Sequence, residues 1–221
     1  MDSAGGAAPA STTHSPAQAS SSLSSSSSSR SKKKASSANA RLGDALHSRA
    51  EKVNGDLFVL TYGALVAQLV EDYEDPAEVN AQLEKMGRGI GVRIIDEFLA
   101  KSGVRHCGNF AETADIVANV GFKMFLGVSV DVVGWNAEGT KCSLVFKDNP
   151  LEDFVELPPA LGALSYSNLL CGVIAGALNQ VNVQVKCTFE KDALKGDECT
   201  IIGLQLQEYL QDAAGEEYRD D

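Results

Sequence analysis

At Gly127 the hydrophobic rhythm of this chain changes from a helical period to a strand period, and any fold must serve both halves. Upstream, Phe58, Tyr62, Leu65 and Leu69 repeat at helical intervals, while Leu57, Leu60, Ala64 and Ala67 form a second apolar face. A helix apolar on two faces needs two burial partners, the domain core for one and another subunit for the other. Asp56 is placed to cap it. Asp75-Pro76 opens a second helix with Val79, Leu83, Met86, Ile90 and Ile94 as its inner stripe and Val92, Ile95 and Leu99 beside it; Ser102-Gly103 ends it. A third helix runs from about Phe110 to Leu126, with Ile116, Val117, Val120, Met124 and Phe125 facing inward.

Downstream, Val128, Val130 and Val132 alternate with Ser129, Asp131 and Val133, and residues 136–139 connect this strand to Lys141–Phe146 as a hairpin. Val181 to Phe189 alternates cleanly, and Lys195-Gly196-Asp197 turns into a last strand bearing Ile202, Leu204 and Leu206. Between them, residues 161–178 carry no formal charge. That run is short and broken by Ser165, Ser167 and Asn168, which suits a buried core helix better than a membrane span. Helices first and antiparallel strands later make the class α+β, with helices packed on one antiparallel β-sheet in a single domain.

Charge divides the chain differently. Residues 1–55 hold seven of the 19 Lys+Arg and three of the 30 Asp+Glu, a balance of +4, so the remainder carries −15 of the overall −11. An acidic domain excludes nucleic acid as its main ligand. The leader, rich in Ser, Ala and Thr, has too little apolar surface to offset its ordering entropy, so residues 1–55 are expected to be disordered. Its Lys32-Lys33-Lys34 run is read as a solvated patch, with contact to anionic lipid the sharper alternative. Residues 56–212 form the domain and 213–221 a flexible acidic tail. Aromatics are 6% of the chain, so the core must be mostly aliphatic.

Five cysteines without a C-x-x-C pair, zinc spacing or a secretory signal point to reduced thiols in the cytosol and to no metal site. The only histidines are His14, His47 and His106, and no motif supplies the rest of a catalytic apparatus, so no catalytic residue and no enzyme activity are expected. Gly87, Gly89 and Gly91 lack the strand and the Lys-Ser/Thr of a phosphate loop; they suit close approach of another backbone. Cys107 is the side chain of most interest. Arg105, His106 and a following helix N-terminus favour its thiolate, which makes it either an S-acylation site or an ordinary inter-helix cysteine.

Several longer motifs follow one another in order: Leu60-Thr61-Tyr62-Gly63-Ala64-Leu65-Val66, Met86-Gly87 with Ile90-Gly91-Val92-Arg93, and Glu112-Thr113-Ala114-Asp115. Phe122 to Gly127, Asn149-Pro150-Leu151 with Phe154 to Pro158, and Tyr166 to Gly172 complete the set. Together they resemble the TRAPP (transport protein particle) core subunits over essentially all of residues 56–212. The resemblance implies a scaffold subunit of a complex that tethers endoplasmic-reticulum-derived vesicles and exchanges nucleotide on a Rab-type GTPase. It implies dimers, with other subunits or with itself, through the first helices, and peripheral association with cis-Golgi and ER–Golgi membranes. It implies palmitate on Cys107 with the chain in an internal channel, and no other cofactor. Val117, Gly121 and Phe125 of the third helix are the channel residues expected, Gly121 standing where the family usually has Ala. It also places the tail, with Glu216, Glu217, Asp220 and Asp221, within reach of the GTPase nucleotide site. A standalone acyl-carrying module is the alternative, and an enzymatic thiol the third reading.

Overall fold

Polar caps set where the helices of this chain begin. Asn54 opens α2 (Gly55–Tyr73) by accepting from the Leu57 N–H at 2.9 Å. Asp56, expected as the cap, instead sits in the first turn, where its charge still complements the helix dipole. Asp75 accepts from the Ala77 N–H at 3.0 Å, and Pro76 occupies the first position of α3 (Pro76–Ser102), where its missing N–H costs nothing. Gly103 closes α3 at φ 68° and Gly127 closes the last helix before the strands at φ 74°, so the break in period at 127 is a left-handed C-cap.

The computed structural model describes residues 23–210, with side chains from residue 35 onward. Two units divide the chain, 1–35 and 36–221. The described residues of the first are the opening turns of α1 (Leu23–Arg49); the second holds every other element. After α3 come α4 (Phe110–Ile116), a π-helical turn (Val117–Gly121) and α5 (Phe122–Leu126). One regular helix was expected there; the π turn inserts a residue and shifts the phase of α5 against α4. The strands β1 (Val130–Val133), β2 (Lys141–Phe146), β3 (Val183–Lys191) and β4 (Thr200–Tyr209) form one antiparallel sheet in the order β1-β2-β4-β3. Cys142 and Cys187 flank Leu204 from opposite sides in that register. All five cysteines are free, and burial pushes the Cys142 and Cys187 thiols up to about 12, which suits small apolar side chains rather than nucleophiles.

The uncharged run folds as a short 3-10 turn (Tyr166–Asn168) leading into α6 (Leu169–Asn179), which packs against both α3 and β3 and is buried over most of its length. Its contact with α3 is backbone to backbone. A methyl added at Gly87 would fall on the Leu169 carbonyl, and one at Gly91 on the Val173 carbonyl. In return, one at Gly172 would fall on the Glu84 carbonyl and one at Gly176 on the Arg88 carbonyl. Two glycines four apart on each helix therefore remove the side chains from the crossing. Gly89 is not part of it and meets only the end of the Arg93 side chain.

Three expectations are corrected. The inner stripe of α3 is Val79, Leu83, Gly87, Gly91, Ile95 and Phe98, which leaves Met86 and Ile90 39% exposed; the glycines take the core positions because the core there is another backbone. On α2 the buried stripe is Val59, Tyr62, Val66 and Leu69, rotated by one residue from Phe58 and Leu65, which are exposed. The leader is not disordered throughout 1–55, since residues 23–49 are helical and Leu42 and Leu46 pack on a cluster of Ile95, Phe98, Ile116, Val120 and Met124. Two leucines four apart give just enough apolar stripe to dock the last turns. Residues 1–22 of the leader, and the tail with Glu216, Glu217, Asp220 and Asp221, lie outside the described residues.

Candidate functional site

Cys107 sits in the connection between α3 and α4, half-buried, and a cap fixes its setting. Asn109 accepts from the Glu112 N–H at 3.0 Å, while the Glu112 carboxylate reaches back to accept from the Gly108 N–H at 2.7 Å. This reciprocal cap pins the residue next to Cys107 to the first turn of α4. Thr113, itself buried, hydrogen-bonds the Cys107 side chain and donates to the Asn109 carbonyl at 3.2 Å.

The electrostatics run opposite to expectation. Burial raises the Cys107 thiol above its ordinary range; the Thr113 hydrogen bond offsets part of this, and the Glu112 carboxylate adds to it. Arg105 and His106 are both exposed, so water screens the charge that the sequence places beside the thiol. This setting favours the neutral thiol.

Cys107 opens into an apolar cavity of about 1760 Å³. Ligand pockets commonly run from ~300 to 1,000 Å³, so this is an extended space rather than a compact one. α3 contributes Ile95 and Phe98, α6 contributes Val173 and Ala177, and the α4–α5 segment contributes Ile116 and Met124. The expected channel residues Val117, Gly121 and Phe125 all line it. Gly121 has space beside it, since a methyl there would meet nothing closer than the Ile116 carbonyl at 3.8 Å. Phe125, expected to face inward, lines the cavity but is 37% exposed. Its place at the end of α5, past the π turn, accounts for that rotation.

A polar cluster that the sequence did not single out fixes the far side of the domain. Glu152 accepts from Asn149 Nδ2 at 2.6 Å, from Ser167 Oγ at 2.9 Å and from Thr200 Oγ1 at 3.2 Å, tying the loop after β2 to the start of α6 and to β4. Burial raises its carboxyl, and Asp192 adds to this against the three hydrogen bonds. The most distant of its donors lies 48 residues away in sequence, which no local pattern reveals. Tyr62 anchors α2 here, its hydroxyl donating to the Tyr166 carbonyl and its ring meeting the Tyr166 ring edge-on at 5.1 Å. No group of three or more His, Cys, Asp or Glu suited to a metal ion occurs among the described residues.

A second feature is uncovered apolar surface. Leu57, Phe58 and Leu60 of α2 are 67%, 47% and 57% exposed, and Met86, Ile90 and Val92 of α3 are exposed with them. Phe58, Met86 and Ile90 also belong to the cavity wall, and exposed apolar side chains of this kind on neighbouring helices suit burial against a partner or a ligand.

Known proteins share this arrangement. Residues 58–205 match the family described as transport protein particle (TRAPP) component, a match that begins downstream of α1. The trafficking protein particle complex subunit 3 of Dictyostelium discoideum is 53% identical over 173 residues, 78% of this chain and 93% of that protein. A transport protein particle subunit of Schizosaccharomyces pombe is 45% identical over 178 residues, covering 79% of this chain and 96% of its own length. Among solved structures, a trafficking protein particle complex subunit 3 from Naegleria fowleri covalently bound to palmitic acid superposes with a TM-score of 0.70 at 49% identity. That match covers 73% of this chain and 99% of that one.

Proposed function

Because the chain belongs to the TRAPP component family and so works as a subunit of that complex, we propose that it is a non-enzymatic scaffold in vesicle tethering. In this reading it carries a palmitoyl chain on Cys107, buried in the cavity, and contributes to a composite surface that exchanges nucleotide on a Rab-type GTPase. It acts at cis-Golgi and ER–Golgi membranes as a peripheral protein. The observation that carries the acyl part is the thiol of Cys107 in the wall of a cavity lined by aliphatic and aromatic side chains. The palmitic acid bound covalently to the Naegleria fowleri protein supports the same chemistry here.

Acylation by an acyl thioester donor breaks the donor's carbon–sulfur bond, forms a bond from Cys107 Sγ to the acyl carbon and passes the thiol proton to the departing thiolate. A neutral thiol slows this step in bulk water, and an apolar cavity that draws the chain in raises its effective concentration at Sγ. Small residues set the bore. Gly121→Leu is expected to fill the space beside Gly121 and to remove most palmitate from the purified protein, as read by intact mass before and after hydroxylamine. Unchanged occupancy would sink the assignment of the channel to this wall.

For assembly, the exposed face of α2 with Met86 and Ile90 of α3 is the surface for a neighbouring subunit. Purified gently from its own cells, the tagged chain should bring several other small α+β subunits with it. Leu60→Asp should release at least one of them without changing the melting temperature, since Leu60 is 57% exposed in the isolated chain. Emergence of the wild-type chain alone at normal abundance would instead favour a free acyl carrier.

A further inference from the structure

Residues 36–49 of α1 lie along one stripe of the α4–α5 segment, touching it at places spaced about one helical turn apart. Asn39 Nδ2 donates to Asp115 Oδ2 at 2.6 Å, and Asn119 Nδ2 donates to Ser36 Oγ at 3.5 Å. Gly43 presses its backbone on Asn119, where a methyl would collide with the Asn119 carbonyl, and Lys123 Nζ pairs with Asp44 at 3.3 Å. At the end of the stripe the His47 ring fills the space beside Gly127, and a methyl there would come within 2.8 Å of it. Lys52 Nζ then donates to the His47 carbonyl at 2.6 Å, folding the chain back past the helix end.

The inner side of this contact is apolar. Leu42 and Leu46 pack on the cluster that also holds Cys107, Val104 and Leu99, and His47, Ala50 and Val53 belong to the cavity wall itself. We infer that residues 36–53 are a built-in strap that closes the cavity beside Cys107 and sets how well a group on that sulfur is shielded. This deepens the acyl reading and rests on it for the identity of the shielded group. The strap lies upstream of residues 58–205, the part that the family description matches.

The anchoring is made of few contacts, which is what a releasable element requires. Ion pairs on exposed residues contribute little, so the Asn39–Asp115 hydrogen bond and the bare Gly43 backbone are the two points to attack. Asn39→Asp sets one carboxylate against another with no change of shape. Gly43→Leu levers the helix off without touching the cavity wall or the main core.

The test uses the full chain and both variants, made without acylation, and follows two readings. Amide exchange reports protection of residues 36–49, and mass spectrometry follows the rate at which iodoacetamide alkylates Cys107. Both variants are expected to lose protection in α1 and to alkylate Cys107 about tenfold faster, at an unchanged melting temperature of the domain. An unchanged Cys107 rate in both variants overturns the strap, whether or not α1 protection is lost, and so does free exchange of α1 in the wild-type chain. Protein from the native source is then assayed for acyl on Cys107. Absence of acyl with strap-dependent alkylation intact would overturn the acylation reading and leave the strap standing.

Discussion

Gly172→Val is expected to leave no soluble folded protein, while Gly89→Ala, only two residues from a glycine of the same crossing, should stabilise the domain by about 0.5–1 kcal/mol. At Gly172 the added Cβ falls on the Glu84 carbonyl and lies 2.9 Å from the Arg88 nitrogen. Neither atom belongs to a side chain that can turn away, so α3 and α6 must part, and every contact in their interface weakens together. Overpacking a yielding core costs ~1–3 kcal/mol; here nothing yields, and the loss should approach the ~5–15 kcal/mol by which a domain is stable at all. At Gly89 the nearest atom, 3.2 Å from the added methyl, is the tip of Arg93, so a helix-interior glycine can become alanine with only an entropic gain. Urea melts of the purified proteins decide it. A Gly172→Val protein with a wild-type midpoint would mean that the crossing can open without harm.

Cys107→Ser should abolish acylation completely and lower the melting temperature of protein from its own cells by roughly 10 °C. Burying a sixteen-carbon chain is worth ~12 kcal/mol gross at ~0.8 per methylene, and ordering the chain takes back a large part. If a third survives, about 4 kcal/mol remains, and each kcal/mol moves the midpoint of a domain this size by ~2–4 °C. Hydroxylamine treatment of the wild type should reproduce the shift, because it removes the same chain and leaves the cysteine. A serine variant that melts with the acylated wild type would show that the chain lies outside the domain. Unequal shifts from the serine variant and from hydroxylamine would instead assign the loss to the thiol's own contact with Thr113.

The expected elements and their order hold, because period, caps and glycine stops are all local signals. Which face of a helix turns inward is not local. On α2, Phe58 and Leu65 are as apolar as Val59 and Val66, and which pair is buried depends on where the rest of the domain lies. On α3, a count of large apolar residues selects Met86 and Ile90, yet the core there is filled by α6 backbone and requires glycine. The alternate glycines do suggest a close backbone approach, and two of the three make it. In the leader, serine and alanine hide a stripe of two leucines whose partners come from distant helices.

The site is partly legible in the sequence. Cys107, Val117, Gly121 and Phe125 border one cavity. The charge state of Cys107 is not readable there, since sequence neighbours on an irregular segment need not act on one another, and Arg105 and His106 stand exposed to water. Glu112, whose capping role holds the loop in shape, supplies the charge that acts on the thiol and has the opposite sign. Nor is Glu152 visible as a hub, because its three partners come from three different segments.

The glycine crossing also fixes a dimension. Side chains between two helices act as springs, and helices separated by them can slide and breathe. Where Gly87 and Gly91 lock against Gly172 and Gly176, backbone rests on backbone, and the two helices keep their axial register like meshed teeth. Both helices also wall the cavity, α3 with Ile95 and Phe98 and α6 with Val173 and Ala177. The part of the wall that α3 and α6 supply is thus a rigid jaw, set by peptide geometry rather than by side-chain packing, and adjustment to what the cavity holds falls to the rest of the wall, which includes the π turn and the strap.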